Sequence, residues 1–269
     1  MEKLIVSSSP HLRSGNTTRK IMLDVIIALL PAAVAACVIF GPRAFLLIAV
    51  CVITCVLSEF VCRKIMKREN TIGDLSAVVT GILLAFNLPV TLNPLMAVFG
   101  GIVAIVVAKQ MFGGIGQNFV NPALTARIVL MSSFPSPMSS WVKPFYYLSG
   151  TADATTTASP LGILKEGTGE SLPSHLDLFL GINAGCLGET CALALLIGGI
   201  YLVLRKVIHP AVPLCYLGTA ALISLFAGRD VVTELLTGGI MLGAIFMATD
   251  YTTTPISLKG RIVFAIGCG

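Results

Sequence analysis

The sequence predicts an all-α polytopic membrane protein, a bundle of about nine to ten transmembrane helices with broken or re-entrant segments. Three observations carry this. The chain is 55% hydrophobic and 12% charged, with a mean hydropathy of +0.91, against about 25% charged residues in a soluble domain. Its apolar residues come in long blocks rather than in the alternation of an outer-membrane barrel strand. Finally, its Lys and Arg residues cluster between those blocks.

Taken in order, Met22–Phe40 and Ala44–Cys62 each satisfy the roughly 20 apolar residues of a spanning helix. From Leu75 to Ala108 no residue is charged, but Asn87, Pro89, Asn93 and Pro94 divide the run into two shorter spans. The division frees backbone groups that neighbours or a cavity must satisfy. Val120–Phe134, Glu189–Leu204, Ala211–Ala227 and Val231–Ala248 follow, and a last apolar run begins near Ile262. That run is still open at Gly269, so a missing C-terminal end, with one or two further spans, is expected.

Orientation follows from basic residues in short loops. Lys3, Arg13, Arg19 and Lys20, then Arg63, Lys64, Lys67 and Arg68, then Arg205 and Lys206, then Lys259 and Arg261 can all lie on the cytoplasmic side. The segments Asn87–Asn93 and Phe134–His175 then lie outside, in a prokaryotic cell (inner) membrane. One domain, 1–269, is expected, with a cytoplasmic tail over 1–20 and one long extracytoplasmic loop over 135–175. The tail lacks the short apolar core of a cleavable signal. The net charge of +5 reports topology, and no aromatic-basic module supports a nucleic-acid role. The eight cysteines lie in or beside apolar blocks with no CxxC pair, as small buried hydrophobes do; Cys51 and Cys55 share a helix face, where a metal site is conceivable.

Ionisable groups in spans are costly and mark cavities, partners or ion paths. Asp24 lies one turn into its helix, and Glu59 precedes Arg63 at i,i+4, so interfacial pairing is expected for both. Glu234 is a further acidic residue in a span. Asp74, Glu189 and Asp250 stand at breaks and are the better ion-pathway candidates, because carbonyls and hydroxyls at such breaks can ligate a hard cation.

Two interruptions carry more pattern. The long loop contains Asp153-Ala-Thr-Thr-Thr-Ala-Ser159-Pro160, a hydroxyl-rich turn in a loop longer than connection requires. The string Gly113-Gly-Ile-Gly-Gln-Asn118-Phe-Val-Asn121-Pro-Ala-Leu-Thr-Ala-Arg127 breaks a helix at a membrane boundary. Its two amides lie about one turn apart, where both can face a cavity for a polar planar ligand or simply cap helix ends. Asn-Pro-Ala also occurs in water channels, but those need a second copy.

These two strings, with Gly185-Cys-Leu-Gly-Glu-Thr-Cys191, resemble three motifs of the NqrB/RnfD family, membrane subunits of ion-pumping redox complexes. Asp153, Thr156, Ala158 and Ser159 match the family's flavin-attachment site, where a flavin transferase joins FMN through its phosphate to a hydroxyl. Thr157 stands where the family usually has Gly, Ser159 where it usually has Thr, and Cys191 where it has Ser. The resemblance implies covalent FMN on Ser159, with Thr156 or Thr157 as fallback acceptors. It also implies non-covalent riboflavin near Asn118 and Asn121. It favours the RnfD branch, since the chain opens with Ser7-Ser-Ser-Pro-His11. In that branch such a subunit passes electrons between ferredoxin and NAD alongside Rnf subunits of the A, B, C, E and G types, coupled to Na+ or H+ movement. The chain would then belong to a translocating oxidoreductase without holding a complete active site itself. An NqrB-type subunit of a Na+-pumping NADH:quinone oxidoreductase, or a small-solute channel with a urea-channel-like fold, are the alternatives.

Overall fold

Helices form along the apolar blocks, and several end at glycine or asparagine, as at Gly41, Asn87 and Gly181. The protein is described from a computed structural model over residues 17–148, 156–166 and 172–269. Helix α1 (Thr18–Phe40) starts on the Thr17 side chain, which accepts a hydrogen bond from the Lys20 amide, and α2 (Pro42–Ile65) follows directly after Gly41. Among the described residues, these two are the helices long and apolar enough to cross a membrane by length and composition. The remaining apolar helices are shorter: α3 (Ser76–Phe86), α4 (Pro94–Ile102), α9 (Ala192–Leu204) and α10 (Ala211–Phe226).

The division expected inside Leu75–Ala108 is present, and α4 continues as a π-helical stretch over Val103–Gln110. Helix α5 is Pro122–Ser133. Each of α4 and α5 begins at an Asn-Pro pair, with the Asn93 or Asn121 carboxamide oxygen accepting backbone N–H bonds from the first turn. Proline is pre-organised for the first helical position and the preceding Asn supplies the cap. The short α6 (Pro135–Met138) follows, and β1 (Trp141–Val142) pairs antiparallel with β2 (Thr156–Thr157). Helices α7 (Pro160–Glu166) and α8 (His175–Leu180) complete the long connection.

Two apolar blocks differ from the expectation. The block Val231–Ala248 is not one span: α11 (Val231–Leu236) stops before Gly238, whose φ of +64° only glycine adopts readily, and α12 (Ile240–Leu242) restarts and turns π-helical over Gly243–Met247. The block beginning at Glu189 becomes helical only at Ala192, because 181–191 is irregular. The last helix, α13, is Leu258–Cys268.

Helix α2 packs against α3 and α4, and α1 against α9. The latter approach is close: a Cβ on Gly198 would collide with the Ala28 carbonyl oxygen. The core gathers Phe40, Phe86, Leu84, Leu88, Leu187 and Leu195, all essentially inaccessible. Outward faces stay apolar, as at Val34, Ile53, Leu57, Ile200 and Leu222. An outward surface of this kind suits lipid or partner helices rather than water.

The two interrupted segments satisfy each other. At the end of α3, the carbonyls of Phe86 and Leu88 accept bonds from the amides of Gly188 and Leu187, at 3.0 and 3.1 Å. Asn87 adds to this junction: its side-chain nitrogen donates to Leu83 O at 2.6 Å, and its own carbonyl receives Cys186 Sγ at 3.5 Å. Backbone groups freed in mid-bundle therefore find protein partners, as an apolar surround requires.

Candidate functional site

Two cavities lie at opposite ends of the helices, and the residues singled out by sequence divide between them. The first is at the end where α1 begins and α9 finishes. It encloses about 830 Å³ of space, counting its open mouth. Its walls are mostly apolar, including Val25, Val79, Leu83 and Phe246, while Asn118, Asn121, Lys109, Ser76, Asp250 and Thr252 place polar atoms along it.

The backbone explains how Asn118 and Asn121 arrive there. Gly113, Gly114 and Gly116 take φ of +125°, +107° and +84°, a run that L side chains resist, and it turns the chain from the π-helical stretch into the α5 cap. Asn118 Nδ2 donates to Thr252 Oγ1 at 2.9 Å and to Val120 O at 3.1 Å. Asn121 Oδ1 receives the Ala123 and Leu124 amides at 3.0 and 3.3 Å. The amides thus do both things weighed from sequence: they fix the turn and the helix start, and they line one cavity. Asp250 joins them, accepting from Thr252 Oγ1 at 2.9 Å.

The second cavity, about 520 Å³ by the same measure, brings together Ser159, Gly185 and Glu189 from two separate motifs with Arg127 from the third. Arg127 Nη1 donates to Glu189 Oε1 at 2.8 Å and to Asn87 Oδ1 at 2.7 Å. Asn183 Oδ1 and Thr190 Oγ1, both buried and on the cavity wall, have no hydrogen-bond partner among the described residues. Ser159 caps the first turn of α7, its Oγ accepting the Gly162 amide at 3.2 Å. Thr157 and Ala158 border a neighbouring cavity with Asn183 and Ala184. The Thr156 backbone belongs to β2, while Asp153 and Ser7–His11 lie outside the described residues.

The acidic residues also separate. Asp24 pairs with Arg205 at 3.2 Å and receives the Tyr201 hydroxyl at 3.1 Å. Glu59 does not pair with Arg63 as its spacing suggested; it is fully buried and bound by Lys109 Nζ at 2.9 Å, Gln110 Nε2 at 2.9 Å and Thr71 Oγ1 at 2.9 Å. The reason is reach across the bundle: the π-helical stretch brings Lys109 and Gln110 to α2. Asp74 Oδ1 accepts from the Ser76 amide and hydroxyl at 2.8 and 2.6 Å, while its buried Oδ2 has no partner among the described residues. Asp74 therefore joins the Glu59–Lys109 cluster through Ser76, Asp250 lines the first cavity and Glu189 the second.

Sequence reading missed Lys109, Asn87 and the pairing role of Arg127. Each had a faint signal: Lys109 is the charge that closes the long uncharged run, Asn87 marks its break, and Arg127 ends the glycine-asparagine string.

The arrangement defines an apolar helical protein with a cavity at each end, each with polar side chains on its wall. The chain belongs to the NQR2, RnfD, RnfE family, whose model matches residues 5–269. It is 51% identical over 268 residues, 99% of this chain and 83% of the relative, to the D-type component of the Na(+)-translocating ferredoxin:NAD(+) oxidoreductase complex of Acetobacterium woodii. It is 40% identical over 281 residues, 98% of this chain and 83% of the relative, to the D-type component of the proton-translocating ferredoxin:NAD(+) oxidoreductase complex of Clostridium ljungdahlii. Identity to the corresponding component of the ion-translocating oxidoreductase complex of Rhodobacter capsulatus is 35% over 295 residues, 97% of this chain and 82% of the relative. The family is membrane-associated, and these relatives are subunits of ion-translocating oxidoreductase complexes.

Proposed function

We propose that this chain is the D-type membrane component of an ion-translocating ferredoxin:NAD+ oxidoreductase, and that its two cavities are flavin sites. The observation that carries the reading is the convergence of Ser159, Arg127 and Glu189, which are far apart in sequence, on one cavity wall. FMN would be held there by a phosphoester to Ser159, installed by a flavin transferase, with Thr156 and Thr157 as the fallback acceptors. The donor set fits such a group: the Arg127 guanidinium suits a phosphodiester or a ring carbonyl, and the unpartnered Asn183 and Thr190 oxygens can meet ring N–H or ribityl hydroxyl groups.

Riboflavin would occupy the first cavity without a covalent bond. Its apolar wall suits a ring system, and the polar row from Asn118 to Asp250 suits a pyrimidine edge. Bound flavins would supply the electron-transfer chemistry that side chains lack. The chain's own residues orient them, exclude water and set the local charge.

We also assign the chain to a prokaryotic cell membrane as a multi-pass protein of about nine to ten spans, including short and broken ones. Its N-terminus and the first cavity lie on the cytoplasmic side and the second cavity faces outward. Its partners are the other Rnf subunits, of the A, B, C, E and G types, and lipid. Two of the relatives carry different ions in their names, Na+ and H+, and the ion path is assigned only by residue: Asp74, Glu189 and Asp250.

The deciding experiment is ultraviolet fluorescence of the denatured polypeptide in an SDS gel. A fluorescent band, lost in Ser159→Ala, is expected; a dark wild-type band removes the covalent-flavin reading. A band that survives in Ser159→Ala moves the acceptor to Thr156 or Thr157, which peptide mapping then resolves. Asp74→Asn is expected to lower ion uptake per electron in vesicles, and unchanged uptake removes Asp74 from the path.

A further inference from the structure

The first cavity contains a charge that neither its motifs nor its shape explains. Lys109 is 3% exposed, yet it lines the cavity together with Ser76, Thr80, Asn118 and Asp250. Its Nζ donates to Glu59 Oε2 at 2.9 Å and to Ser76 Oγ at 2.6 Å. Removing two charges from water is unfavourable and is repaid only by close pairing and full hydrogen bonding. Here Glu59 has that support, from Thr71 and Gln110 besides Lys109.

The orientation of the pair matters. Glu59 is 0% exposed and takes no part in the cavity wall, whereas Lys109 does. The cavity therefore meets the positive pole of the pair. The other charged group on its wall, Asp250, is turned into its own loop by the Thr252 amide and hydroxyl. Lys109 also belongs to the π-helical stretch Val103–Gln110. Such stretches reset the side-chain facing of a helix and are frequent at functional sites.

We propose that Lys109 is a cofactor-contacting residue of the first cavity. Its ammonium, paired with Glu59 and positioned by Ser76, favours the more negatively charged state of the ligand bound there. The inference rests on the reading of that cavity as a riboflavin site, and adds to it the residue that sets the ligand's charge preference. No bond to Lys109 is made or broken. The electron comes from the other subunits in the complex, or from the reducing titrant in the test below. Coulomb attraction across a cavity wall shielded from water is stronger than the same attraction in solution, and of the linked charges Glu59, Asp74 and Lys109 it is Lys109 that lines the cavity and so lies nearest its ligand.

The test uses the purified complex. Riboflavin is extracted with acid, separated from FMN by chromatography and quantified, and its midpoint potential is followed by absorbance during reductive titration. In Lys109→Met the riboflavin midpoint is expected to move to a more negative potential, while Lys109→Arg stays close to wild type. In-gel fluorescence of the covalent flavin should be unchanged in both. An unchanged midpoint in an assembled, riboflavin-containing Lys109→Met complex overturns the proposal. If Lys109→Met does not assemble, Ser76→Asp is titrated instead: a carboxylate beside Nζ should cancel the ammonium's field and lower the midpoint, and no change is equally fatal. A wild-type complex with no extractable riboflavin overturns the cavity reading itself, and the inference with it, an outcome distinct from an unmoved potential.

Discussion

Two buried ion pairs among the described residues, Glu59–Lys109 and Arg127–Glu189, are built for different work. Glu59–Lys109 is shielded from solvent, with side chains 0% and 4% exposed, and its carboxylate is saturated with donors. Arg127–Glu189 is looser, at 28% and 8%, and it lies on the wall of a cavity whose Asn183 and Thr190 still have unmatched oxygens. The first pair holds three segments together: α2, the start of α3 and the π-helical stretch. The second spans the junction where α3 ends and the Cys186–Glu189 turn approaches. In the first pair the donor-saturated Glu59 fixes structure while Lys109 alone borders a cavity, whereas in the second both partners lie on a cavity wall.

Breaking each pair tests that contrast, and the largest effect is expected at Glu59. Glu59→Ala strands the Lys109 ammonium, and loss of one member of a buried pair costs about 3–5 kcal/mol. The measurable result is loss of assembled protein in detergent or a steep fall in thermal stability; a variant as stable as wild type would refute the shielded-pair account. At Arg127 the cost is lower, because the group is partly exposed. Arg127→Gln leaves the Glu189 and Asn87 acceptors short of a donor, for about 1–3 kcal/mol. It should also reduce covalent flavin more than it reduces protein yield, which the ratio of in-gel fluorescence to protein stain measures.

A smaller, stabilising change is expected beside the second pair. Cys191 stands at the start of α9 without a side-chain cap. Cys191→Ser supplies a capping oxygen, and thermal melting should rise by the equivalent of up to about 1 kcal/mol. No rise would show that the Glu189–Cys191 turn holds the side chain away from the α9 amides.

The smallest effect lies on the surface, where α11 meets α8. Asp230 caps α11, where its carboxylate accepts from the Thr233 hydroxyl and amide and contacts His175 Nε2 at 2.8 Å. The bonds from Thr233, followed by the one from His175, lower its pKa to about 2. A lowered carboxylate pKa stabilises the fold above the ordinary value of about 4, and that contribution fades as pH falls toward 2. The melting difference between wild type and Asp230→Asn should therefore be full at neutral pH and shrink between about pH 4 and pH 2. A difference that persists at the acid end would assign the effect to cap geometry instead of charge.

Much of the fold was legible because apolar length and its interruptions are local properties. α1, α2 and the break within Leu75–Ala108 follow from where charge and proline are absent or present. The Asn-Pro starts of α4 and α5 follow from capping chemistry. Val231–Ala248 misled because a single glycine, Gly238, outweighs the apolar run around it, and hydropathy does not register backbone φ.

The sequence by itself determined the membrane character, the positions at which helices fail, and the motifs bearing Ser159, Asn118, Asn121 and Glu189, since each depends on residues close together in the chain. Only the tertiary structure decided which failures meet. Arg127 reaches Glu189 and Asn87, and Glu59 pairs with Lys109, 50 residues away, instead of with Arg63 one turn along α2. The physical reason is that a charge buried among apolar helices must take the partner that packing brings within hydrogen-bonding distance, and neighbours in sequence have no priority in that choice.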